Sequence, residues 1–547
     1  MTTRRRLLAA PIVFVGAALL VLIMSTSAVT SAAGATAYVP ISGAGSTWAA
    51  NAIDQWRRNV EQYGIRVNFA ATGSSDGRNQ FKAGTVDFGA SEIPYGTTDN
   101  GVTEPPPTRG YAYMPDVAGG TAIMYNLQSG GKRITNLRLD GTVLADIFTG
   151  VITNWNDPKI KADNPGLTLP DYKIVPVVRS DGSGSTAQFT LWMSKLHSAV
   201  WNSYCAAAGR SSNPCGETST YPIAFGKGFV AQPGSQGVSG YVAQSANVGT
   251  ITYVEYSYAL TTGYPVAKLL NAAGYYTEPT ASNVAVALLK AKIDENASSP
   301  TYLTQQLDGV YADTDPRTYP LSSYSYLIVP TQSQDGFTAA KGATLAAFTN
   351  YLLCEGQQQA AVLGYSPLPI NLVKAGLSQV RKIPGAVVSS INIAKCDNPT
   401  FSTNGTNTLA DNAPEPPACD KAGPTQCTTG TGGAKSVSTA NTGSGSGGTT
   451  TGTTGTTGTD ASGTGDTDTG GGGGGTGGTT IIEADGKSSC DPDTGVCQVV
   501  AAIPVSTSSP TGWQVPQTIV LILIILVGLL IVVPPVAVLT ARRSRRS

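Results

Sequence analysis

Over 547 residues the formal charges cancel, 35 Lys and Arg against 35 Asp and Glu, and only 13% of the chain is charged. That balance argues against nucleic acid as a partner, because proteins that bind a phosphate backbone are usually strongly basic. One histidine, His197, and no Cys-x-x-Cys pair leave no set of residues for a metal, and no cofactor is expected.

The chain opens as a secretory signal over residues 1–37. Arg4, Arg5 and Arg6 precede an apolar run from Leu7 to about Met24, and Ala35-Thr36-Ala37 offers a cleavage site. The run is also long enough to serve as an uncleaved anchor. No cysteine follows it, so a lipid anchor is not expected at this end. From about Val39 to Cys396 the composition is that of a globular protein. More than 350 residues exceed one comfortable core, and strand-like segments alternate with helical ones, so an α/β fold in two lobes is expected.

Three stretches place glycine and small hydroxyl residues just ahead of helix-like apolar spacing. The first is Gly43-Ala44-Gly45-Ser46-Thr47-Trp48, followed by Trp48, Ala52, Trp56, Val60 and Tyr63. The second is Thr72-Gly73-Ser74-Ser75-Asp76-Gly77, after a strand over residues 66–70. The third, Arg179-Ser180-Asp181-Gly182-Ser183-Gly184-Ser185, follows a buried strand over 174–178 and leads into Phe189, Trp192, Met193 and Leu196. The aromatic residues read as core. A helix start presents unpaired N–H groups and the positive end of the dipole, glycine lets a ligand approach, and hydroxyls add donors. One such stretch is an ordinary cap; three, one beginning with Arg, point to a site for a small oxyanion.

Eight cysteines lie in the exported part, which suggests disulfides; neighbour pairing (205–215, 354–396, 419–427, 490–497) is the simplest scheme, though sequence does not fix it. Past Cys396 order is expected to decline. Residues 401–427 form a Cys-containing extension. Thr428–Thr480 is nearly all Gly, Thr and Ser, a disordered tether with an r.m.s. span of roughly 40 Å. A small Cys-containing juxtamembrane segment covers 481–517. Its Asp491-x-Asp493-x-Gly495 spacing matches only a fragment of a calcium loop. Thr518–Thr540 is uncharged and rich in Ile, Leu and Val, and about 23 helical residues span roughly 34 Å, enough to cross a bilayer. Arg542, Arg543, Arg545 and Arg546 in the tail, 541–547, put the C-terminus in the cytoplasm and the bulk of the chain outside, at the cell surface.

At its motifs the chain resembles the substrate-binding proteins of phosphate ABC transporters, the periplasmic phosphate-binding protein family. Gly43–Trp48 is similar to that family's G-A-G-A/S-T-F/W. Gly73-Ser74-Ser75 with residues 85–91 (T-V-D-F-G-A-S) is similar to its G-S-S and T-V-D-F-G-A-S-D pair, and residues 179–185 to R-x-D-G-S-G-T/S. Residues 248–256 and 364–369 match its G-A-I-G-Y-V-E-Y and G-Y-A-P-L-P, all in family order. The resemblance implies a class II, two-lobed periplasmic-binding-protein-like fold over residues 38–400. It also implies a monomer that captures inorganic phosphate and passes it to ABC permease and ATPase subunits on separate chains.

It further implies that Thr47 and the Trp48 N–H meet the anion from one lobe, with Ser74 a hydroxyl donor. Arg179 would pair with the anion, Asp181 would orient Arg179, and Ser183, Gly184 and Ser185 would supply helix-start donors from the other lobe. The bland alternative for 181–185 is a turn and cap. One position departs: where the family has Asp after F-G-A-S, this chain has Glu92. A carboxylate acceptor there favours an anion that still carries a proton and disfavours sulfate, which has none at neutral pH. The alternative for Glu92 is a surface residue ahead of Pro94. Two other functions stay open: a surface phosphate sensor or adhesin, and a phosphatase-like enzyme, for which His197 is the one candidate base.

Overall fold

The structure, a computed structural model, describes residues 38–387 and 393–439. The chain begins with β1 (Ile41–Gly45), α1 (Ala50–Val60), β2 (Val67–Ala70), α2 (Ser74–Lys82) and β3 (Phe88–Ser91). A long strand follows, β4 (Tyr111–Asn126), then β5 (Val175–Arg179), α3 (Gly184–Leu196), β6 (Val230–Gln232), α4 (Gly234–Val242) and β7 (Thr250–Glu255). Later come β8 (Val266–Leu270), α5 (Ala281–Leu288), β9 (Ser322–Pro330) and α6 (Ala339–Leu353).

The sheet runs β6-β5-β7-β4-β9-β3-β1-β2. Within it, β1 is parallel to β2 and β3, and β5 is parallel to β6 and β7, as expected where helices return the chain to the same edge. The two parallel groups are joined by antiparallel β4 and β9. Residues 111–120 of β4 lie against β9 and residues 121–126 against β7, so one strand serves both halves. The chain therefore passes from the first half to the second near Gly120 and returns near Leu321. The outcome is the α/β architecture expected from the alternation of strands and helices.

The helices form where the apolar spacing places them. In α1, Ala52, Trp56 and Val60 are buried, and Trp48 packs just ahead of it; Tyr63, beyond the last turn, is exposed. In α3, Phe189, Trp192 and Met193 are buried, whereas Leu196 at the end of the helix is exposed, having run past the surface it packs on. Phe189 stacks on Tyr253 of β7 with ring centroids 4.7 Å apart.

Order does not decline at Cys396, and the tether does not begin at Thr428. Residues 393–439 fold against the body. Thr400 Oγ1 donates to the Leu368 carbonyl at 2.8 Å, Ala410 and Ala413 pack on α5, and Lys268 pairs with Asp420 at 2.5 Å. The Gly/Thr composition of 428–433 reflects close approach. Thr431 N–H donates to the Thr135 carbonyl, Gly433 N–H to that of Tyr264, and Gly432 N–H to Glu278 at 2.9 Å. A Cβ on Gly433 would sit 2.5 Å from the Ala259 carbonyl oxygen. With its backbone groups paired in this way, the segment is held without large apolar side chains.

Three disulfides follow the neighbour scheme, Cys205–Cys215, Cys354–Cys396 and Cys419–Cys427. The signal at 1–37, the rest of the tether, the Cys490–Cys497 loop, the apolar stretch at 518–540 and the basic tail lie outside the described residues. Among the described residues no helix is long and apolar enough to cross a membrane.

Candidate functional site

β1, β3 and β5 end on the same side of the sheet as the starts of α2, α3 and α4, so five short loops meet between the two halves. Parallel strands followed by helices create this convergence, since each helix N-terminus lies beside the strand end that leads to it. Gly45 closes β1, and its carbonyl accepts Gly73 N–H at 2.8 Å, which holds the first two loops together.

Arg179, the last residue of β5, is 2% exposed. Its Nε donates to Asp181 Oδ1 at 2.7 Å, and its Nη2 donates to Asp181 Oδ2, a bidentate clamp. Burial pushes the Asp181 carboxyl up, but the Arg179 hydrogen bond and charge outweigh it and hold the group below the usual carboxylate range. Asp181 Oδ1 also accepts Gly234 N–H at 2.9 Å from the start of α4. Thus Asp181 fixes the guanidinium plane, and among the described residues Nη1 makes a long contact, 3.5 Å, to Ser235 Oγ.

Glu92 is not a surface residue. It is 1% exposed and lies where the first-half loops face α3. Ser46 Oγ and Ser325 Oγ, the latter at 2.9 Å, donate to its Oε1; Ser74 Oγ donates to its Oε2 at 2.7 Å. A carboxylate has about four acceptor positions, so three hydroxyls leave one, on Oε2. That oxygen lies against Gly184 so closely that a Cβ there would come within 1.8 Å of it. The extra methylene of Glu is thus accommodated where the opposing residue has no side chain.

The remaining predicted residues fall around this pair. Thr47 Oγ1 lies 2.9 Å from Ser235 Oγ across the cleft and accepts Ser235 N–H at 3.2 Å. Trp48 is buried, its carbonyl accepting Tyr365 OH at 2.6 Å. Ser74 Oγ accepts Gly184 N–H at 3.1 Å, a second contact between the halves. Ser183 is the N-cap of α3: its hydroxyl accepts Thr186 N–H at 3.2 Å, and its own N–H goes to the Ser219 carbonyl at 2.8 Å. Its role as a cap is therefore real, and only its hydroxyl proton remains to donate. Ser185 Oγ is buried with no hydrogen-bond partner among the described residues. Together these groups form a buried cradle that holds one clamped cation and one carboxylate acceptor, and the Ser183 and Ser185 hydroxyls are among the groups in it that keep a proton to give.

His197 does not join it. It caps the far end of α3, 4.6 Å from the Trp192 ring between centroids, and burial lowers its affinity for a proton. A cavity of about 370 Å³ lies next to the cleft, lined among others by Ser75, Arg78, Asp99, Glu104, Glu217 and Ser219. Arg78 is already paired with Glu104 at 2.8 Å and Asp99 with Arg210, so among the described residues this cavity offers no cation left for an anion and is not the cradle. Among the described residues no cluster of His, Cys, Asp and Glu is arranged to hold a metal ion.

Ser46 lies in the first glycine-hydroxyl stretch without an assigned role, and Ser235 and Ser325 were not singled out in the sequence. Pro233-Gly234-Ser235 ahead of α4 has the same glycine-hydroxyl form as the other three stretches and was legible there. Ser325, inside a buried strand, carries no such signal.

A family model for the PBP superfamily domain matches residues 30–355. The phosphate-binding protein PstS of Xylella fastidiosa is 36% identical over 342 residues, 62% of this chain and 84% of its own. The phosphate-binding protein PstS of Haemophilus influenzae is 32% identical over 340 residues, 62% of this chain and 92% of its own. Among solved structures, a high affinity periplasmic phosphate-binding protein (PfluDING) bound with phosphate aligns with a TM-score of 0.47 at 17% identity, over 64% of this chain and 100% of that one.

Proposed function

The chain belongs to the PBP superfamily and, within it, to the PstS phosphate-binding proteins, and from that premise we propose that it captures inorganic phosphate between its two lobes for uptake by an ABC transporter. The observation that carries this reading is the pairing, on loops joined by the Gly184–Ser74 contact, of Arg179 clamped by Asp181 with Glu92 held by three serine hydroxyls and one acceptor position left. Arg179 and the start of α3 suit an oxyanion. Glu92 suits one that keeps a proton. Monohydrogen phosphate meets both conditions, and sulfate fails the second. In this reading Thr47, Trp48 and Ser74 bind from one lobe, and Ser183, Gly184 and Ser185 from the other. Closure brings the two sets together, as the contacts Thr47–Ser235 and Ser74–Gly184 suggest.

Selectivity provides the test. Glu92→Gln keeps the shape but adds an N–H and removes the charge that repels a fully deprotonated anion. By competition dialysis the phosphate-to-sulfate affinity ratio of Glu92→Gln should fall by about 1–3 kcal/mol, 5- to 150-fold. An unchanged ratio would place Glu92 outside the contact shell of the ligand, and wild-type protein that prefers sulfate would remove the phosphate assignment.

The binding domain is held at the cell surface by the helix at 518–540, with the tether giving it reach and the permease and ATPase supplied by other chains. A chain truncated before Thr518 is expected in the medium. Its retention in the membrane fraction would assign the anchor to the N-terminal run.

A further inference from the structure

Behind Glu92 lies a second carboxyl that does not line the cradle. Asp116, in the middle of β4, is 0% exposed. Its Oδ1 accepts the Val117 N–H at 2.7 Å, while Oδ2 is buried with no hydrogen-bond partner among the described residues. A bare carboxylate oxygen in such a place is costly, whereas a protonated one carries an O–H that can donate.

The group placed to receive that proton is Ser325. Tyr324 of β9 pairs with Ala118 of β4 and Tyr326 pairs with Pro115, so Asp116 and Val117 share the single residue Ser325 as their opposite. This bulge sets Ser325, whose hydroxyl reaches Glu92, opposite the buried Asp116. The hydroxyl donates to Glu92 Oε1 at 2.9 Å and, across the bulge, lies opposite Asp116. A hydroxyl has one proton to give, and Ser325 gives it to Glu92; toward Asp116 it can only accept. The arrangement is satisfied when Asp116 is protonated. Burial, reinforced by the charge of Glu92, pushes the Asp116 carboxyl up to about 8. The titratable groups that face it are Glu92, past the end of β3, and the Tyr326 phenol on β9.

We propose that Asp116 is a positioning residue for anion capture: protonated, it donates to Ser325, which donates to Glu92 and keeps the free Glu92 oxygen turned toward the cleft. The inference rests on the phosphate reading above. Loss of the proton places a second buried anion behind Glu92, takes the Ser325 proton away from it and repels the ligand. The sign follows directly. Affinity is full while Asp116 is protonated and falls as pH rises through about 8.

Calorimetric titration of the full-length chain with inorganic phosphate, from about pH 6.5 to about pH 9.5, tests this. Wild type is compared with Asp116→Asn, whose amide is a permanent donor, and with Ser325→Ala, which breaks the relay. The ionisation of phosphate itself is common to all three, so ratios of affinity isolate the protein. Asp116→Asn should bind within about threefold of wild type at the acid end, and wild type should lose about tenfold against it by the alkaline end. Ser325→Ala should bind about fivefold more weakly at the acid end. Parallel profiles for wild type and Asp116→Asn overturn the proposal. If Asp116→Asn does not fold, wild-type affinity in Ser325→Ala at the acid end overturns it. A wild type that binds no phosphate at any pH overturns the functional reading, and this inference with it.

Discussion

Replacing Arg179 by Ala weakens phosphate binding by about 3–5 kcal/mol, roughly two to four orders of magnitude in affinity. The magnitude follows from burial and from the partner left behind. Arg179 is 2% exposed, and its removal leaves the Asp181 carboxylate without its bidentate partner while the incoming anion has no cation. Two like charges then share one poorly solvated site. Asp181 keeps its bond from Gly234 N–H, so the loop is not expected to unfold. Calorimetry at neutral pH reads the loss directly. An Arg179→Ala protein that binds phosphate as wild type does would show that the anion is held elsewhere.

Adding a single methyl group at Gly184 is expected to cost nearly as much. A Cβ at this position lies 1.8 Å from Glu92 Oε2 and 2.6 Å from Ser74 Oγ, both on the opposing half. Overpacking usually costs about 1–3 kcal/mol, and the Gly184 N–H bond to Ser74 adds roughly 1 kcal/mol when it is broken. Gly184→Ala should therefore lose about 3 kcal/mol of phosphate affinity, on the order of 100-fold. Thermal stability without ligand should fall by less, because Ala at the first turn of a helix is favoured over Gly by propensity and the clash is with the opposing half rather than within α3. Equal losses in ligand-free stability and affinity would point to damage within α3 instead. Unchanged affinity would mean that the lobes do not close as they do here.

The parts of the site built on helix starts were open to sequence reading, because a glycine-hydroxyl stretch ahead of an apolar period has a local physical meaning. That was enough to bring Thr47, Ser74, Arg179, Asp181 and Gly184 to one place. Two features were not local. Glu92 gains its significance from Ser46, Ser74 and Ser325, which lie 46, 18 and 233 residues away along the chain. Asp116 and Ser325 sit in β4 and β9, outside every motif read from the sequence, and only the bulge between these strands sets one residue opposite the other. The stretch 428–439 was misread for a related reason: its glycines admit neighbouring backbone, and composition alone does not distinguish that from flexibility. The strands near 66–70 and 174–178 and the helical spacing after Trp48 and from Phe189 were legible because periodicities of 2 and 3.6 are properties of the chain itself.

The account turns on where phosphate sits, and a crystal structure of the phosphate-loaded protein answers that most directly. The predicted result is one tetrahedral anion between the start of α3 and the loop after β1, with Arg179 Nη1 and the Ser185 hydroxyl donating to it and Glu92 Oε2 accepting its proton. Phosphate found instead in the neighbouring cavity beside Arg78, with Arg179 and Glu92 free of it, would contradict the assignment of the cleft.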